Sequence, residues 1–187
     1  MLALRPILFC ACLVVACAKA PDAALFYEQA KPLATAPAPT TVAMSVPESW
    51  QAIEIDQPFY LAKYDLPNGG RATVSYLGPN TDSIAMNIDR WMGQWTVPGS
   101  TPEEARDFSN ELIGDQEVYK LLLKGTLNST AQLGGGDARD HWMLIGGIML
   151  KEFGAVYLKV IGPADDLEGQ AATLFTNFAA ANFESKN

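Results

Sequence analysis

The chain has 187 residues and a formal net charge of -8, from 21 acidic side chains against 13 Lys and Arg. That balance repels polyanions and argues against nucleic acid and anionic headgroups as partners of the folded part. All three cysteines fall at or before Cys17, so nothing beyond that point can supply a cysteine nucleophile, a dithiol exchange pair or a cysteine-ligated zinc, and the folded part must rest on its apolar core.

Residues 1–16, MLALRPILFCACLVVA, carry one positive charge at Arg5, an apolar stretch from Ile7 and small residues near Ala16, the three-part pattern of an export signal. The apolar run is about 12 residues, short of the roughly 20 that a spanning helix needs, so cleavage is expected rather than retention. Leu13-Val14-Val15-Ala16-Cys17 resembles the lipobox of bacterial lipoproteins. The resemblance implies that Cys17 becomes the first mature residue and carries a diacylglyceryl group on its thiol, which makes the membrane a partner through the N-terminal lipid. Each buried methylene contributes about 0.8 kcal/mol, and two or more chains give stable anchoring. Ala18 stands where, in enteric lipoproteins, an Asp favours inner-membrane retention, so the same resemblance implies a cell-envelope protein at the outer membrane, facing the periplasm. From Cys17 to residue 41 the chain is rich in Ala, Pro and Thr and reads as a tether. Residues 42–187 read as a single globular domain, about 145 residues and enough to bury a core.

Within that domain "VAMSVPESWQAIEI" reads as a strand, a turn at Pro47 and a second extended piece. "FYLAKYDLP" and "RATVSYLGP" flank Asn68-Gly69-Gly70, the strongest hairpin signal in the chain, because Asn-Gly supplies the positive φ of a tight turn. Residues 81–95 are expected to form a helix: at about 100° per residue Ile84, Ile88, Trp91 and Trp95 share one face. "TPEE" predicts a second, short helix with Thr101 as N-cap, Pro102 in the first helical position and Glu104 closing a capping box, and Gly114 as its stop. "EVYKLLLKG" reads as a strand and residues 134–140 as a loop. "WMLIGGIMLKE" and "AVYLKVIGP" form an antiparallel pair turning near Phe153 and Gly154. Residues 165–183 predict a final helix with Leu167, Ala171, Leu174 and Phe178 as its core stripe. The order of elements gives an α+β fold, an antiparallel sheet with helices packed on it.

Chemistry concentrates in residues 87–94. Asn87, Arg90 and Gln94 have the i, i+3, i+7 spacing that aligns a polar row beside the tryptophan face. Such a row suits binding of a carboxylate, a phosphate or a backbone segment, with Arg90 as charged donor, and equally a network that satisfies chain ends beside the core. Lys159 alternates with Val156, Leu158 and Val160, so it points to the other face of its strand, where it could join Arg90 or guard a solvated surface. His141, with Asp137 and Asp140 nearby, lacks a second ligand set for a metal and any matching nucleophile motif.

N-x-x-R-W-x-G-Q at 87–94, the strand "YLKVIGP" and a C-terminal helix resemble a family of predicted bacterial lipoproteins of unassigned activity, and more remotely domains of PsbP-like fold. Met92 stands where such relatives often carry a base. The resemblance implies a PsbP-like sandwich and, since those folds mostly serve binding or assembly, a membrane-anchored, non-catalytic module for an envelope protein or small ligand, with Asn87, Arg90, Gln94 and Lys159 as its binding residues and no cofactor or metal. The alternatives are a cell-envelope hydrolase using carboxylates and a carrier of an apolar small ligand.

Overall fold

The computed structural model describes residues 36–79 and 82–185. The export signal at 1–16, Cys17 and the tether up to residue 35 lie outside the described residues. The described residues fold as an α+β domain, as expected.

Strand β1 (Thr41–Ala43) leads to a turn in which the Trp50 amide donates to the Pro47 carbonyl at 3.0 Å, and then to β2 (Gln51–Ala52). The turn drops the Trp50 indole into the core. β3 (Tyr60–Asp65) and β4 (Arg71–Tyr76) form the expected hairpin, turned by Asn68 and Gly69 at φ 63° and 82°.

Helix α1 (Asp82–Met92) buries Ile84, Ile88 and Trp91, but it ends three residues before the periodicity does. The chain turns at Gly93 and Gln94, and Trp95 enters β5 (Trp95–Thr96), paired with Leu127 of the neighbouring strand. Trp95 is buried all the same. Helix face and strand feed one core there, so apolar spacing alone does not mark where one becomes the other.

Helix α2 (Pro102–Ala105) has the capping box in full, with the Thr101 hydroxyl accepting from the Glu104 amide. It stops at once, and residues expected to prolong it form β6 (Asp107–Ile113), a hairpin with β7 (Gln116–Leu127). Gly114, at φ 65°, serves that hairpin rather than a helix terminus. Cross-strand pairs between Asn110 and Glu117 and between Glu111 and Lys120 favour the extended form over a short exposed helix.

β8 (Arg139–Lys151) and β9 (Gly154–Pro163) pair along their whole length. The predicted C-terminal helix is in fact two pieces, α3 (Ala164–Leu167) and α4 (Ala171–Ala179), joined by a 3₁₀ turn at Glu168–Gln170. Gly169 is a poor helix former at that break. The tail does not continue as helix either. β10 (Asn182–Glu184) pairs antiparallel with β1, Val42 opposite Phe183, because Phe183 finds the rings of Phe153 and Phe178 at 5.9 and 6.5 Å. The stripe Leu167, Ala171, Leu174, Phe178 is buried throughout.

The main sheet runs β2-β3-β4-β9-β8-β7-β5, with β6 also on β7, and its pairs are antiparallel. Strand alternation sends side chains to two cores. Val74, Ile145, Val156, Leu158 and Val160 meet α3 and α4 on one face. Leu121, Leu144, Ile148, Tyr157 and Ile161 meet α1 on the other.

The β8–β9 turn depends on Gly154, whose φ is 125° and where an added Cβ would stand 2.9 Å from Pro79 Cα and 3.0 Å from the Gly78 carbonyl. Gly154→Val is expected to destabilise the domain by roughly 2–5 kcal/mol, strain and overpacking together. An unchanged urea midpoint would show that the turn can move aside.

Candidate functional site: a polar cleft beside helix α1

Helix α1 covers the part of its sheet face built by β7, β8 and β9. Over β4 the same face is polar, with Thr73 and Ser75 alternating against the core residues Ala72 and Val74. A cleft of about 190 Å³ opens there. Its walls are the end of α1 with Arg90, Trp91 and Gln94, the loop around Ser129 and Gln132, and Tyr60, Thr73, Ser75 and Lys159 of the sheet.

Sheet register places Lys159. It lies directly across from Thr73 on one side and Gly146 on the other. At Gly146 an added Cβ would be 2.8 Å from the Trp91 ring, so the missing side chain is what lets the indole lie against the strand. Trp91 in turn meets Tyr157 edge to face and stands 5.9 Å from the Lys159 ammonium. Lys159 thus points away from Val156, Leu158 and Val160, as its alternation requires, but onto a covered surface and not a solvated one: it is 7% exposed. Its ammonium donates to Gln94 Oε1 at 2.7 Å and Gln132 Oε1 at 3.1 Å. Burial pushes its pKa down to about 7, and the nearby Arg90 charge adds to the shift.

Arg90 stands exposed at the cleft, its Nη2 donating to Asn87 Oδ1 at 2.5 Å. Asn87 is itself buried. The Gln94 carbonyl accepts from the Asn128 amide at 2.8 Å, which ties the turn after α1 to the start of the loop. That loop is folded on itself: the Thr130 hydroxyl donates to the Gly136 carbonyl, and the Gly135 amide donates to the Thr130 carbonyl. Glycines 134 to 136 all have positive φ, so the glycine run shapes the loop that delivers Gln132. The Gln132 carbonyl accepts from Arg71 at 3.0 Å, whereas its Nε2 is buried with no hydrogen-bond partner among the described residues.

The charge pattern is one-sided. Lys63 is bridged to Asp56 and Arg71 to Asp65, each at 2.7 Å. Among the described residues Arg90 and Lys159 have no carboxylate partner and no acidic residue lines the cleft.

Arg90, Gln94 and Lys159 therefore share one cleft and Asn87 holds Arg90 there, although Gln94 acts from the turn after the helix rather than from its surface. Met92 does not reach the cleft: it is buried, with Arg106 Nη1 at 3.3 Å from its sulfur. Thr73, Ser75 and Gln132 escaped the sequence reading. The first two have a signal, the polar alternation in "RATVSY"; Gln132 sits on a loop with none. His141 lies elsewhere, exposed at φ 58° in an open depression with Lys124 and Trp142, while Asp140 accepts from the Thr126 hydroxyl at 2.8 Å. No group of three His, Cys, Asp or Glu that could hold a metal occurs among the described residues.

No protein-family model matches the chain, and no curated protein does. Among solved structures it is similar to the solution structure of cyanobacterial PsbP (CyanoP) from Synechocystis sp. PCC 6803, at 10% identity over 78% of this chain and 88% of that one, with a TM-score of 0.47.

Proposed function

We propose that this chain is a lipid-anchored, non-catalytic binding or assembly module of the bacterial cell envelope, fixed to the outer membrane through Cys17 and facing the periplasm, with the Lys159 cleft as its binding side. The observation that carries the binding role is a buried cation aimed into a cleft with no carboxylate among the described residues to answer it. Such a charge is costly unless something compensates it. The lining supplies donors and cations, the equipment for holding a ligand, and its described residues include no paired carboxylates of the kind hydrolysis would use. The anchor is supported by the export signal, the lipobox resemblance of residues 13–17 and the Ala- and Pro-rich tether.

Two measurements test the two halves. Cells fed a fatty-acid analogue are expected to label the wild-type protein and not Cys17→Ser; equal labelling overturns the anchor. Material bound from detergent-solubilised envelopes is expected to be lost on Arg90→Glu, an exposed position whose change leaves the core alone. Equal recovery by both proteins overturns the cleft as the binding side.

A further inference from the structure

We propose that the cleft is a site for a small oxyanion, a carboxylate or a tetrahedral anionic group, held between Arg90 and Lys159. The inference rests on the cleft being the binding side and not on the anchor. Three observations converge on it. The cations are Arg90 at the end of α1 and Lys159 on β9, while the cations that β3 and β4 put on this sheet face, Lys63 and Arg71, are already bridged to Asp56 and Asp65. The donors beyond those charges face inward: the Thr73 and Ser75 hydroxyls, which make no hydrogen bond to the described residues, and the buried Nε2 of Gln132, which has no partner among them. A buried amide N–H without an acceptor is costly, and an anionic oxygen is the acceptor that would satisfy it while answering both charges.

Size sets a second limit. At about 190 Å³ the space is below the roughly 300–1,000 Å³ of pockets for drug-sized ligands. It suits a small anion or the charged end of a larger molecule. Phe59, Leu77 and Trp91 on the walls give such a molecule an apolar surface beside its charge. Arg90 and Lys159 make different contributions. Arg90 is exposed and already oriented by Asn87, so it presents a planar fork to an incoming oxygen. Lys159 is held on two amide oxygens at the buried end, and its charge is the part that burial penalises. An anion favours the protonated form of Lys159, so the site takes up a proton as it fills.

The test is a heteronuclear NMR titration of the mature protein in detergent with sodium acetate and, separately, sodium sulfate, anions whose charge is constant between pH 6 and pH 8. Choline chloride serves as the control cation. Saturable shifts of the Gln132 side-chain amide and of the Thr73 and Ser75 backbone amides are expected at pH 6 with at least one anion and not with choline. Acetate alone assigns a carboxylate site and sulfate alone a tetrahedral one. Affinity is expected to fall about tenfold from pH 6 to pH 8 as Lys159 loses its proton, and about tenfold or more at pH 6 on Lys159→Met or Arg90→Gln. Arg90 is exposed, so the second variant keeps the test valid should the first fail to fold. No saturable shift with either anion overturns the proposal, as does binding that survives both substitutions. If envelope material is still recovered in an Arg90-dependent manner, the binding module stands and only the anion falls.

Discussion

Trp91→Ala is expected to destabilise the domain by about 3–5 kcal/mol, the range for removing a buried aromatic ring. Trp91 is 3% exposed and closes the core beneath α1, against Gly146 on the strand below and Tyr157 beside it. The effect has a signature that a generic core loss lacks. Gly146→Ala in the wild type would force a methyl to within 2.8 Å of the indole and is expected to cost roughly 1–3 kcal/mol. In the Trp91→Ala background the ring contacts are gone and only the Leu121 Cβ, at 3.2 Å, stays close, so the same methyl should cost less than in the wild type. The double-mutant cycle is therefore expected to be strongly non-additive. Denaturant midpoints of the four proteins measure it, and additive losses would mean that the ring and the glycine are not the matched pair that the geometry describes.

The second large effect is a dependence on pH. Lys159 titrates near 7 in the folded protein and near 10.5 when unfolded, with burial the main cause and the Arg90 charge the lesser. Between those values the unfolded chain binds a proton that the folded chain does not, so this residue makes stability rise with pH from about 7 to about 10.5. Below pH 7 both states are protonated and the full penalty of the buried charge is present. The charged groups nearest to Lys159 are Arg90 across the cleft and, on the same sheet face, Lys63 and Arg71, which are bridged to Asp56 and Asp65. Lys159→Met removes the titration while keeping a long apolar stem. The wild type is expected to gain on the variant as pH is raised from 6 to 10, measured as the difference between their urea midpoints. Curves that stay parallel would mean that Lys159 remains charged in the folded state and that its burial carries no penalty for a ligand to relieve. A variant that is the more stable at pH 6 is compatible with the proposed role, since binding groups are commonly held at some expense of stability.

Much of this fold is legible in local chemistry. Asn68-Gly69 announces its hairpin, Thr101-Pro102-Glu104 its capped turn, and the stripes at 84–91 and 167–178 the faces that the helices bury. What local reading misses is decided by distant partners. β6 is a strand because β7 offers it cross-strand pairs, and β10 because β1, from the other end of the domain's sequence, and the Phe153 ring receive it. Neither segment has a strong period of its own. The cleft divides along the same line. Arg90, Gln94 and Lys159 are polar residues in otherwise apolar company and so stand out, whereas Gln132 matters only because its loop brings it to Lys159, 27 residues further along the chain. Thr73 lies between these cases, its alternation visible but its neighbour across the sheet known only from register.

The pairing of β1 with β10 also settles a question of geography. Val42 and Phe183 pack with the core under α4, on the side of the sheet that α1 does not touch. Thr41 therefore joins the domain on the face behind the cleft, and the mouth lined by Arg90 opens on the other side. Glu184 lies directly across from Thr41, so an epitope fused at that end of the domain would leave the mouth clear.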